Sequence, residues 1–253
     1  MKRFMFFSLL YLSSVFSFPI HAYVGINNRA LVIVSELDST VAPEMKQIYT
    51  TIEYLTHISA QSILGMNYGE TELLLNNDAT FPKFKSLIRN LAGRSDIHAI
   101  DVILSLHGST TQLSFDDKRW KIADMEKNFL MANTASERAL MVKVKRKLRM
   151  MYNLSCFGKY HNASFIKMGF DSSVGSVSVN ANSEVEFLPV LTSWKQGSTF
   201  GASFNASNNP MALFLADEPI RILGRIQNNS LKITNSKKIF AGRSSIRIST
   251  DPQ

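Results

Sequence analysis

Cysteine is almost missing: the 253 residues hold one. A single thiol excludes a disulfide framework within the chain and any multi-cysteine zinc or iron–sulfur site. Five scattered histidines do not restore a metal cluster, so neither metal nor cofactor is expected. Seven prolines and twelve glycines are too few for a collagen-like or low-complexity chain. Gly-x-Ser-x-Gly is absent, which removes the nucleophile-elbow hydrolases. No Gly-x-Gly-x-x-Gly follows the first apolar strand and no Walker sequence occurs, so nucleotide binding has no support. What is present is ordinary globular composition, 45% apolar and 19% charged, with a net charge of +8. Such a chain buries a sizeable core, and one α/β domain uses its whole length.

The amino terminus reads as a signal. Lys2 and Arg3 precede an apolar run, Phe4 to Phe18, broken only by serines, and Pro19-Ile20-His21-Ala22 offers a small residue before a cut. This is the pattern of a secretory signal peptide over residues 1–22. The run is short for a membrane span, which needs about 20 residues, and no later run is long enough. The chain is therefore expected to be secreted or periplasmic, with no membrane span once the signal is removed. No nucleic-acid module accompanies its basic charge. Exported proteins usually pair their cysteines or lack them. That makes Cys156 informative: it is either a small buried hydrophobe or a nucleophile.

Apolar strands alternate with helical stretches along the rest. Ala30 to Ser35 reads as a strand covered on both faces. Glu44 to Ser59 carries Met45, Ile48, Ile52, Leu55 and Ile58 at helical spacing. Ser62 to Met66 reads as a short strand, and Glu70 to Asn76 is ambiguous. Phe81 to Ala92 is an amphipathic helix with Gly93 as its stop. Ala99 to Leu106 is the strongest strand. Ile122 to Leu140 is partly helical. Leu148 to Ser155 is a further strand, and Ser173 to Val179 has β-branched character. Glu184 to Trp194 and Gly201 to Asn208 form one or two helices. From Ile220 onward the pattern is short strands with basic turns. Together these imply a mostly parallel sheet flanked by helices on both faces. Residues 23–215 are expected to form the main domain, and residues 216–253 a basic segment adding strands to it.

In open α/β sheets reactive groups gather at the C-terminal ends of strands. One strand runs straight into His107-Gly108-Ser109 and another into Cys156-Phe157-Gly158. If the two are neighbours, both side chains reach one crevice. A thiol near its free pKa of about 8.5 is only partly ionised at neutral pH, and an adjacent imidazole takes its proton or stabilises the thiolate. Gly108, lacking a Cβ, lets its N–H approach a substrate carbonyl. With the N–H of Cys156 it would make an oxyanion hole. Gly158 would keep the turn after the thiol open.

At these residues the sequence resembles the caspase-like clan of cysteine peptidases: apolar strand, His-Gly, a long connection, apolar strand, Cys-x-Gly, with the histidine about 50 residues before the cysteine. Of the caspase pentapeptide Gln-Ala-Cys-x-Gly, Leu154-Ser155-Cys156-Phe157-Gly158 matches only at Cys156 and Gly158. Bacterial relatives such as the clostripain-like peptidases are the better comparison. Gly169 to Asn180 looks like the strand that follows the nucleophile there, and Phe187 to Ala206 like the next helix. The resemblance covers Ala30 to Asn208. It implies a caspase-like three-layer sandwich, His107 as base, Cys156 as nucleophile, Gly108 as an oxyanion contributor, and a peptide or protein substrate. No substrate-pocket residue matches a motif. Clan members are often cut between the two catalytic strands, and the basic run Lys143 to Arg149 would suit such a cut; otherwise it is a solvated connection.

The remaining candidates read more plainly. His57 and His98 are structural or surface residues, and His161 is expected at the surface. Asp101, inside a strand, is expected to serve as a polar partner, and Asp116 and Asp117 to lie in a solvated loop. Asn-x-Ser sequons occur at Asn153, Asn162, Asn205 and Asn228; Asn153 sits in an expected buried strand and should carry no sugar. Two other readings remain open. One is an inactive caspase-like binding module. The other is a flavodoxin-like α/β ligand-binding domain in which His107 and Cys156 are out of reach of each other.

Overall fold

The structure, a computed structural model, describes residues 23–250 apart from 39, 40 and 182, together with residue 252. The expected signal peptide, residues 1–22, lies outside the described residues. The chain runs β1 (Arg29–Glu36), α1 (Pro43–Leu64), β2 (Glu70–Leu75), α2 (Phe81–Gly93), β3 (Ala99–Gly108), β4 (Gln112–Ser114), β5 (Arg119–Lys121), α3 (Ile122–Leu130), α4 (Ala135–Lys147), β6 (Leu148–Asn153), α5 (Asn162–Met168), β7 (Ser172–Ser176), α6 (Ser183–Lys195), α7 (Phe200–Ser203), α8 (Pro210–Ile226) and β8 (Lys238–Gly242). The main sheet has the order β2-β1-β3-β6-β7-β8. The pairings from β2 to β7 are parallel, and β8 closes the edge antiparallel to β7. β4 and β5 form a hairpin off the C-terminal end of β3.

The two most apolar runs become strands β1 and β3 because a strand covered on both faces can be apolar at almost every position. Alternate residues divide between two cores. Ala30, Val32, Val34, Val102 and Leu104 pack with Phe84, Ile88, Phe129 and Val144 of α2, α3 and α4 on one face. Leu31, Ile33 and Ile103 pack with Ala60, Leu64, Phe187 and Trp194 of α1 and α6 on the other. This is the mostly parallel sheet with helices on both faces that the strand–helix alternation implies. Local signals fix several helix starts. Thr80 caps α2 and is followed by a proline in its first turn. Thr134 and Glu137 form a capping box at the start of α4.

Several expectations are corrected. Ser62 to Met66 is not a strand: α1 continues to Leu64 and ends in a short 3-10 turn, because Ala60 and Leu64, one turn apart, both bury fully against the sheet. The apolar stripe of α1 is not its buried face. Met45, Ile48, Leu55 and Ile58 are exposed, while Glu53, Thr56, Ala60 and Leu64 are buried. Glu70 to Asn76 resolves as the edge strand β2. The run from Ile220 does not open as short strands. It completes α8, which Asn209 caps and in which Glu218 pairs with Arg221 and Arg225; β8 is the strand formed after it. Lys143 to Arg149 is neither a solvated connection nor an exposed loop. It is the last turn of α4 passing straight into β6, and Arg149 is fully buried on Asp101. No helix among the described residues is long and apolar enough to cross a membrane.

Candidate active site

β3 and β6 are adjacent and parallel, paired through Leu104↔Asn153. The Leu154 N–H then donates to the Leu104 carbonyl at 2.8 Å. Both strands end at the same edge, so the segments carrying His107-Gly108 and Ser155-Cys156 leave the sheet side by side. Their contact is direct. A Cβ placed on Gly108 would stand 2.6 Å from the Cys156 carbonyl oxygen and 2.9 Å from the Ser155 side chain. Only glycine fits there, which gives the His-Gly pair a packing reason. The hairpin orients the same glycine. The Ser109 N–H donates to the Gln112 carbonyl at 2.9 Å, and the alternation of an antiparallel ladder turns the Gly108 N–H away from β4.

His107 is half-buried at the end of β3, edge-on to the Tyr49 ring at 4.9 Å between centroids. Its Nε2 donates to the Leu37 carbonyl at 2.7 Å. A carbonyl only accepts, so Nε2 carries the proton and the neutral ring keeps its lone pair on Nδ1. Burial pushes the His107 pKa below its ordinary value, against an opposing pull from the Leu37 hydrogen bond and Glu36. The ring lines a cleft with Val41, Gly108, Ser109, Gln112, Ser114 and Arg119.

Cys156 is partly exposed. Its Sγ accepts a hydrogen bond from the Asn180 backbone N–H at 3.4 Å. Burial raises the thiol pKa, opposed by that hydrogen bond and by the nearby charge of Lys238. Sγ and the His107 ring thus have separate partners, Asn180 and Leu37, and both groups are neutral at pH 7. Phe157, directly after the thiol, has φ +58°. This left-handed conformation is a genuine outlier for a bulky residue. It is held by the Phe157 N–H donating to the Ser178 carbonyl at 2.8 Å. Gly158 packs against Gly175 of β7, where a Cβ would lie 2.9 Å from the neighbouring Cα.

A buried polar network ties the two strand ends together, and its centre is a correction. His161 is not at the surface; it is 0% exposed. Its Nε2 N–H donates to the Ser109 carbonyl at 2.6 Å, and its Nδ1 accepts from Asn153 Nδ2 at 3.1 Å. Asn153 Oδ1 accepts from the Ser155 N–H and hydroxyl at 3.0 and 2.6 Å. Burial lowers the His161 pKa to about 4, so the ring stays neutral and bridges the loop after Gly108 to the turn before Cys156. Asn153 is fully buried, as its place in β6 requires. On the other side of Cys156, the buried Lys238 Nζ donates to Asn180 Oδ1 at 3.0 Å and pairs with Glu186 at 2.5 Å.

The other candidates stand apart from this edge. Asp101 accepts from Arg149 and Tyr68 deep in the sheet, a polar-partner role. Asp117 accepts from the Phe81 N–H and Trp120 Nε1, so it orders its loop. Among the described residues no group of three or more His, Cys, Asp or Glu is placed to hold a metal. Sequence reasoning missed Leu37, Asn153, Asn180 and Lys238. Leu37 contributes only a backbone carbonyl, which leaves no side-chain signal. Lys238 reads as one more basic residue in a basic tail until the fold buries it.

No protein-family model matches the chain, and no curated protein matches it in sequence. Solved structures similar to it include the Drosophila initiator caspase Dronc, 10% identical over 90% of this chain and 84% of that one, with a TM-score of 0.48. Caspase-1 from Spodoptera frugiperda is 10% identical over 85% and 88%, with a TM-score of 0.45. A secreted C11 cysteine protease from Bacteroides thetaiotaomicron is 11% identical over 79% and 71%, with a TM-score of 0.37.

Proposed function

We propose that the chain is an exported cysteine endopeptidase, with Cys156 as nucleophile and His107 as general base and acid. The observation that carries this is the held imidazole. At the edge where the lone cysteine leaves β6, the neighbouring strand presents a histidine whose Nε2–H is fixed by the Leu37 carbonyl and whose Nδ1 lone pair is free. A nucleophile, a base and a third group orienting the base is the arrangement that thiol acyl transfer needs.

The chemistry follows from the protonation states. Burial keeps both thiol and imidazole neutral at rest, so no ion pair is preformed and proton transfer accompanies attack. His107 Nδ1 takes the Sγ proton as sulfur bonds to the peptide carbonyl carbon. The carbonyl oxygen becomes an oxyanion, which accepts from the N–H groups of Gly108 and Cys156. Collapse breaks the C–N bond, and the imidazolium returns its proton to the departing amine. Water then attacks the thioester as His107 takes its proton, the C–S bond breaks, the imidazolium returns that proton to Cys156 Sγ, and the carboxylic acid departs.

The test is peptide-library cleavage beside iodoacetamide labelling against pH, for wild type, Cys156→Ala and His107→Ala. Cleavage should fall by about 10²-fold or more in both variants, and labelling should show the thiol above its free pKa when no substrate is bound. A folded wild type that cleaves no peptide, with Cys156 labelling the same in His107→Ala, overturns the reading. One observation favours a second reading, the inactive binding module: Sγ is engaged by Asn180 and not by the imidazole. It expects partner binding that survives Cys156→Ala.

A further inference from the structure

We propose that Glu53 is a positioning residue for this site, acting on His107 through the backbone of Leu37. The inference rests on the peptidase reading for its catalytic meaning. Leu37 is held at both ends. Its N–H donates to Glu53 Oε1 at 2.8 Å, and its carbonyl accepts from His107 Nε2 at 2.7 Å. Leu37 lies in the connection after β1, without a ladder of its own. The carboxylate of α1 is therefore the side chain that fixes where this carbonyl points, and the carbonyl fixes the ring.

Glu53 is an unusual residue for that face of α1. It is 5% exposed and turned to the sheet while the apolar stripe of the helix faces out. A buried carboxylate is costly unless compensated, yet no Lys or Arg pairs with it among the described residues. The charges acting on it have its own sign: Glu36 at the end of β1 and Asp38 beyond it. Asp38 in turn accepts from Thr50 of α1 and stands 4.0 Å from Lys46. From α1 itself, His57 binds the Glu53 backbone carbonyl, not the carboxylate. Burial, with Glu36 and Asp38 adding to it, raises the Glu53 pKa to about 7. The Leu37 N–H and the neighbouring Ser35 hydroxyl favour the ionised carboxylate and oppose that rise. Ionised Glu53 holds Leu37; protonation weakens the hold and frees the imidazole to move.

The sign follows. As pH falls through about 7, Glu53 takes up a proton, and the fraction of molecules with a correctly held base declines. His107 has a pKa below its ordinary 6.5, so its own protonation enters at lower pH. The acid limb of wild-type kcat/KM should lie near 7. In Glu53→Gln, whose neutral amide accepts from Leu37 more weakly than a carboxylate at every pH and does not titrate, the limb should move below 6.5. Glu53→Ala removes the acceptor and should lower kcat by about 10-fold to 100-fold. Histidine-labelled protein gives a readout independent of turnover. The His107 ring resonances should show an inflection near pH 7 that is lost in Glu53→Gln, and the Nε2–H tautomer should be lost in Glu53→Ala. An unchanged inflection and an unchanged acid limb in Glu53→Gln overturn the proposal, and this variant decides if Glu53→Ala fails to fold. If no peptide is cleaved but the ring resonances respond as described, the peptidase reading falls and the positioning role stands.

Discussion

Gly108 is the residue at which the two halves of the site touch. The Cys156 carbonyl and the Ser155 side chain occupy the space where any other residue would carry a Cβ. That contact sets how far His107 stands from the thiol turn. Gly108→Ala forces the new methyl against the Cys156 carbonyl and against a Ser155 side chain that Asn153 holds in place. The expected result is a loss of about 1–3 kcal/mol in urea unfolding, together with a fall in peptide cleavage larger than the stability loss explains. A variant as stable and as active as wild type would show that the approach is not needed. Phe157 is the matching case on the other strand. A bulky residue in the left-handed region costs of order 1–2 kcal/mol, and here the strain falls immediately after the thiol.

The elements meet at one edge because β3 and β6 run parallel, and β6 is pinned there by a charge. The register slips by one residue between Ile100↔Leu148 and Asp101↔Met150. The extra residue, Arg149, turns its side chain onto Asp101 in a fully buried ion pair. The same guanidinium donates to the Ile248 and Thr250 carbonyls, so it also fastens the carboxyl-terminal segment to the sheet. Arg149→Met leaves Asp101 charged, buried and short of its partner. The expected cost is about 3–5 kcal/mol by urea unfolding, with faster proteolysis of the carboxyl-terminal segment; a cost under 1 kcal/mol would contradict the role. This element also shows the limit of charge patterning. Lys143 to Arg149 reads as solvent-facing because basic runs usually are. Six of its residues obey helix and strand periodicity, and the seventh is carried inside by a partner 48 positions away.

At the scale of the whole molecule, two buried titratable groups pull stability in opposite directions with pH. His161 has a pKa of about 4 in the fold against about 6.5 when unfolded. Below 6.5 the unfolded chain takes up a proton that the folded chain refuses, so stability falls from pH 6.5 to 4 and then levels, by roughly 3 kcal/mol. Glu53 does the reverse. Its pKa of about 7 means the folded chain holds a proton between pH 7 and 4.5 that the unfolded chain has lost, which offsets part of the decline. Urea unfolding at pH 7.5, 6 and 4.5 should show a net loss on acidification, shallower in His161→Gln and steeper in Glu53→Gln. Parallel slopes in all three proteins would contradict both assignments.

The sequence by itself determined the strand–helix alternation and that His107 and Cys156 each stand at a strand's C-terminal end. The strongly apolar runs of β1 and β3 announce strands covered on both faces, and a histidine and the lone cysteine each stand at or just beyond a strand's C-terminal end. Those are local properties, written in hydrophobic period and in residue type. The tertiary structure alone decided that β3 and β6 are neighbours, that Glu53 and not the apolar stripe of α1 faces the sheet, and that His161, Arg149 and Lys238 are buried. It also decided that a backbone carbonyl, Leu37, holds the His107 ring. The reason is common to all of them. Burial of a charge or a histidine is settled by a partner far along the chain, and a carbonyl looks the same at every position of a sequence until the fold points it at something.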